Sequence, residues 1–161
     1  MKFRAGFIRI VDILGAVILT TITLVASAQI INRYIFGNSF IFAEEMAVQL
    51  MIWIAFLGAT KCVADNGHTR LTVVVDKLPL KLQCLAVLLS NVLCIGFLSV
   101  AAWYGFRLVT TTWRGTTIGT HIPEGLVYLA MPFCSVIMIA FLISNSIGTI
   151  QAFSKLGESE K

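Results

Sequence analysis

Residues 82–106 read LQCLAVLLSNVLCIGFLSVAAWYGF, twenty-five consecutive positions without a charged side chain. A hydrocarbon core about 30 Å thick takes about 20 residues of α-helix. In that solvent every backbone N–H and C=O must be satisfied inside the segment, which a helix achieves. Pro79 stands just ahead of the run, where a proline suits a helix start. The stretch therefore reads as a membrane-spanning helix.

The rest of the chain repeats that pattern. Of 161 residues, 58% are hydrophobic and 12% charged, with a mean hydropathy of +0.90, whereas soluble domains carry about 25% charge. Upstream, span two covers 44–64: Glu44 and Glu45 suit the positive end of the helix dipole, and Lys61 is placed to extend its ammonium to the far interface. Span one covers 10–31, with an uncharged core from Ile13 to Ile31. A cleaved signal peptide is the rival reading there, since Lys2, Arg4 and Arg9 precede an apolar run leading to Ala26-Ser27-Ala28. The run exceeds the usual h-region of about 7–15 residues, which favours a span. Between these spans, Tyr34-Ile35-Phe36 followed by Gly37-Asn38 reads as a short interfacial segment broken by a turn.

Between spans two and three, residues 65–81 place Leu71, Val74, Val75 and Leu78 at helical spacing among Arg70, Asp76, Lys77 and Lys81. This describes a short amphipathic helix on the membrane surface, with an extended linker as the alternative. Downstream, Arg107 to Glu124 is a threonine-rich loop with Gly115 and Gly119, and Pro123 marks the start of span four, 125–150. Pro132 predicts a kink near Leu129 to Pro132, the freed backbone groups going to Ser135 or a neighbouring helix. The C-terminal tail is 151–161, of which Lys155 to Lys161 is polar and expected to be mobile. The fold class expected is all-α, a single domain of four transmembrane helices.

Lysines and arginines assign an orientation. Nine lie in the N-terminus, the second loop and the tail, against three in the first and third loops. The positive-inside rule then puts both termini and the loop 65–81 in the cytoplasm. Tyr34, Trp103, Tyr104, Trp113 and Tyr128 fall at the opposite interface, where amphipathic rings prefer to sit. The basic residues form no stripe, so nucleic acid is not an expected partner; the bilayer is.

Chemistry is sparse. Asp12, Glu44, Glu45, Lys61, Arg107 and Glu124 all read as helix-end residues, leaving no ionisable group at mid-membrane to bind a coupling ion. Cys62, Cys84, Cys94 and Cys134 form no C-x-x-C motif and read as small packing residues. His68 and His121 stand alone. No cofactor, no metal and no enzymatic activity are expected. Small residues four apart, Thr23 with Ser27, Ala55 with Ala59 and Ser90 with Cys94, are helix-packing steps. Glu45, Gln49, Trp53, Phe56 and Thr60 share one face of span two, either the inside of the chain's own bundle or a docking face for another membrane protein.

Asn32-Arg33-Tyr34-Ile35-Phe36, Glu44-Glu45, Trp53, Phe56-Leu57-Gly58-Ala59, His68, Leu78-Pro79, Ile122-Pro123, Tyr128 and Pro132, in that order, make the chain from about 31 to 141 resemble a known family. It is the small membrane subunit of tripartite ATP-independent periplasmic (TRAP) transporters. The resemblance implies a bacterial inner-membrane importer in three parts. A periplasmic binding protein captures an organic acid, a large membrane subunit moves it with a sodium gradient, and the small subunit pairs with the large one as a scaffold. The candidate interface residues are Asn32, Arg33, Glu44, Glu45, Gln49, Trp53, Gly58 and His68, with Arg33, Glu44 and Glu45 as a possible ion-pair cluster; Arg70, Lys77 and Lys81 are candidate lipid-headgroup contacts. The competing classes are a non-transporting assembly or regulatory membrane protein and an autonomous small transporter.

Overall fold

The computed structural model describes the backbone of residues 2–37, 41–65 and 80–159, and the side chains of 4–37, 41–65 and 82–148 apart from Cys84. Within it, α1 (Lys2–Phe36), α2 (Ile41–Ala64), α3 (Leu80–Thr112), the short α4 (Glu124–Tyr128) and α5 (Ala130–Ser159) follow in order. Four segments, within α1, α2, α3 and the α4–α5 unit, are long and apolar enough to cross a membrane. The amphipathic helix expected over 65–81 lies outside the described residues, as do His68, Arg70 and Lys77. Lys81 belongs to the first turn of α3, its side chain undescribed.

Helices outrun the spans read from hydropathy. Tyr34-Ile35-Phe36, expected beyond span one, is the last turn of α1, because nothing breaks the helix before Gly37. Gly37 stops it by turning to φ +67°, a left-handed geometry that glycine adopts freely. At 35 residues α1 is about 52 Å long, more than a bilayer core requires. Likewise α3 continues past residue 106 to Thr112. There Thr110 and Thr111 donate hydroxyls to the Arg107 carbonyl and Thr112 donates to Leu108, at 2.8 Å each, so the threonines bond back onto their own helix instead of leaving it. The helix α5 continues into the tail as far as Ser159, since no proline follows Pro132.

The expected break near Pro132 separates α4 from α5 at Leu129. Proline has no N–H for the carbonyl four residues earlier, that of Tyr128, while Leu129 still donates to Gly125 at 3.0 Å. Ser135 is not the compensating donor; its hydroxyl goes to Met131 O at 2.7 Å. Gly105 of α3 faces the break, and a Cβ there would sit 3.0 Å from Pro132 Cδ, so glycine lets α3 approach it.

In space the long helices pair in the order α1, α2, α5, α3, a row with α1 and α3 at its ends. The core lies where α5 is sandwiched: Val63 of α2 meets Cys134, Met138 and Leu142 of α5, flanked by Phe56 and Leu57 on one side and Cys94, Ile95 and Leu98 on the other. Lipid supplies no hydrophobic force between helices, so packing and hydrogen bonds hold them. Asn91 Nδ2 donates to Ser146 Oγ at 2.9 Å between α3 and α5. The flanks differ: Leu24 and Ile31 on α1, and Leu93, Phe97 and Trp103 on α3, are exposed. Lipid tails or another membrane protein must cover them.

Candidate partner interface

Polar groups gather at the two ends of α2. At its first turns, Glu45 Oε2 accepts hydrogen bonds from the backbone N–H of Gly119 and of Thr120, both 2.8 Å, in the loop between α3 and α4. Glycine is required at the loop tip, since a Cβ on Gly119 would lie 2.8 Å from that carboxylate oxygen and 3.0 Å from the Phe42 backbone. One helical turn on, buried Gln49 donates Nε2 to Thr120 Oγ1 at 3.2 Å. Thr120 also bonds Thr117, whose own hydroxyl lies 3.2 Å from both the N–H and the carbonyl of Ile122.

Backbone bonds close the same loop. Thr116 bridges Pro123, Thr117 N donates to Ile122 O at 3.1 Å, and Glu124 N donates to Gly115 O at 2.9 Å. His121 turns the chain at φ 53°. The result is a short flap clasped onto α2, with Ile118 exposed at its tip. Beneath it lies an open cleft of about 430 Å³ whose walls include Glu44, Val48, Ile52, Ile118, Glu124 and Tyr128.

At the other end of α2, Lys61 Nζ forms an ion pair with Asp12 of α1. This corrects one expectation, since Asp12 sits ten residues into α1 rather than at its end, and it adds a neighbouring helix as the partner of Lys61. The shared face of α2 is also resolved: Gln49 and Thr60 are buried, and Phe56 packs on the core, so this face turns largely into the chain's own row. Thr60 is fully enclosed and donates to Phe56 O at 2.8 Å.

The candidate interface residues are thus dispersed. Glu44, Glu45 and Gln49 come together under the flap, Asn32 and Arg33 lie near the end of α1, Trp53 is half-buried midway along α2, and Gly58 opens a cleft between α1 and α2. Arg33 is exposed, and the ion pair found among the described residues is Lys61–Asp12, so Arg33, Glu44 and Glu45 form no cluster within this chain. Two loop N–H groups claim Glu45 first. Of the small-residue steps, Thr23–Ser27 and Ala55–Ala59 are exposed, while Cys94 faces the core. Of the flap residues, Gly119 was named from sequence only as a loop glycine, and Thr117 and Thr120 were not singled out. Their one signal is a Gly- and Thr-rich loop, which says nothing of the acid it meets 74 positions away.

Among the described residues four long apolar helices stand in a row, with the charged groups of α2 held at its two ends, the architecture of a multi-pass membrane protein. Residues 22–152 match the family described as tripartite ATP-independent periplasmic transporters, DctQ component, and the chain belongs to that family. Among its relatives, a Haemophilus influenzae protein named "Putative TRAP transporter small permease protein" is 29% identical over 154 residues, 93% of this chain and 94% of the relative. The C4-dicarboxylate TRAP transporter small permease protein DctQ of Vibrio cholerae is 27% identical over 74% of this chain and 53% of its own length. The isethionate TRAP transporter permease protein DctMQ of Oleidesulfovibrio alaskensis is 22% identical over 69% of this chain and 18% of its own length. This chain is accordingly a small TRAP transporter permease subunit.

Proposed function

We propose that this chain is a fixed scaffold, without enzymatic activity, against which a large membrane subunit moves its substrate. In this reading the complex lies in the bacterial inner membrane with both termini of this chain in the cytoplasm. It takes up an organic acid with a sodium gradient after a periplasmic binding protein delivers it. The observation that carries the proposal is the row itself. A four-helix chain that worked alone would be expected to wrap its helices around a site, whereas here α1 and α3 form the ends of a row and leave long apolar flanks for a partner.

Two further points support it. The polar side chains along the spans largely serve the helices that carry them: Thr20, Thr21 and Thr23 donate to Ala16, Val17 and Leu19 carbonyls at 2.8 to 2.9 Å, and Ser99 donates to Ile95 at 2.7 Å. In the DctMQ relative, a region like this chain occupies 18% of a much longer permease protein, which favours pairing with a larger membrane partner.

The test is co-purification. The full chain, tagged at its C-terminus and expressed with its neighbouring genes, is extracted in mild detergent and its companions are identified by mass. A stoichiometric large membrane protein is expected, and organic-acid uptake by vesicles holding both, supplied with the binding protein, should require the sodium gradient. Recovery of this chain alone from membranes containing that neighbour would give the proposal up.

A further inference from the structure

Between α1 and α2 lies a groove of about 230 Å³, running from Asp12 to Leu19 on one wall and from Ile54 to Lys61 on the other. It exists because Gly15, Ala16 and Gly58 put almost no side chain into it; a Cβ on Gly58 would meet nothing within 4 Å. Seven helical steps on each side make it about 10 Å long. Its walls are apolar except at one end, where Asp12 and Lys61 stand paired with side chains still 50% and 35% exposed. Lys61 lies about 30 Å along α2 from Ile41, one hydrocarbon thickness, so with Ile41 at one face of the bilayer the pair falls at the headgroups of the other.

An apolar groove that ends at headgroup depth in one acid and one base has the charge pattern of a zwitterionic phospholipid. We propose that it binds one ethanolamine phospholipid, with an acyl chain along Gly15, Ala16 and Gly58, the phosphate on Lys61 and the ammonium on Asp12. The pair is neutral overall, so it has no reason to prefer an anionic lipid. A primary ammonium has three N–H donors for the Asp12 carboxylate, whereas a choline headgroup has none. The inference needs only that the chain spans a membrane, and stands whether or not a large subunit is bound.

Native mass spectrometry of the full chain in detergent, supplied with equimolar phosphatidylethanolamine, phosphatidylglycerol and phosphatidylcholine, tests it. One phosphatidylethanolamine is expected to be retained about fivefold over either competitor. Gly58→Leu fills the groove while keeping both charged side chains and should remove the adduct while helix content stays unchanged; Asp12→Asn should erase the preference over phosphatidylcholine. Equal retention of phosphatidylglycerol, no retained phospholipid, or an adduct that survives Gly58→Leu would each overturn the assignment. So would disappearance of the lipid when the chain is isolated with a large subunit, which would give the groove to that subunit.

Discussion

The two ends of α2 hold charge in opposite ways. Glu45 binds the backbone of a distant loop, so its charge is spent on fixing a shape: two N–H groups point at one oxygen, and a glycine is needed for the approach. Lys61 meets Asp12 side chain to side chain, with both still partly open to their surroundings. A carboxylate held by backbone N–H groups in a half-buried site is worth more than an exposed ion pair, because fewer rotamers are frozen and less solvent competes. The first end should therefore be a structural clasp and the second an adjustable contact.

That contrast is broken most sharply at Gly119. Gly119→Ala places a methyl group against the Glu45 carboxylate and the Phe42 backbone, so the flap must lift and both hydrogen bonds are lost. We expect a cost of about 3 kcal/mol from the clash and the lost bonds together, read as a lower midpoint when the purified chain is unfolded by SDS. An SDS midpoint unchanged from wild type would mean that the clasp carries no weight. Glu45→Ala should cost about 2 kcal/mol, since it leaves two loop N–H groups without their acceptor, and Glu45→Gln about half of that, since an amide oxygen still accepts but without charge. Equal losses for the two variants would show that the charge is irrelevant. If, further, Glu45→Ala left recovery with a large subunit and uptake unchanged, the flap would have no part in partner contact.

Hydropathy made the four helices legible, because a long uncharged run has few stable states in lipid other than a helix. It missed their ends. The carbonyls of Arg107 and Leu108 are bonded by threonines that also read as loop residues, and Tyr34 to Phe36 read as interfacial because aromatics favour the interface. The kink at Leu129 was visible in Pro132, a strictly local rule. The candidate site was legible only by half. Glu45 and Gln49 share a face by spacing alone, but their partners, Gly119 and Thr120, depend on where the loop returns. Asp12 and Lys61 were read one helix at a time as end charges. Their pairing depends on α1 packing beside α2, a tertiary fact that no periodicity contains. The same holds for the row, since apolar helices without a marked polar face do not disclose their neighbours.

Salt gives the finest test of the contrast, and the smallest expected effect. Lys61→Met and Asp12→Asn should each destabilise the lipid-free chain in detergent less than Glu45→Ala does, and the double variant should lose little more than either single one, because the second change removes a partner already gone. Raising ionic strength from about 0.1 M to about 1 M shortens the screening length from about 10 Å to about 3 Å. The coupling between Asp12 and Lys61 should fall accordingly, whereas the penalty of Glu45→Ala should barely move, since loop N–H groups that nearly touch the carboxylate leave no room for ions between them. A salt response at Glu45 as large as that at Lys61 would show that the clasp is as solvated as the pair, and the two ends of α2 would then differ in geometry alone.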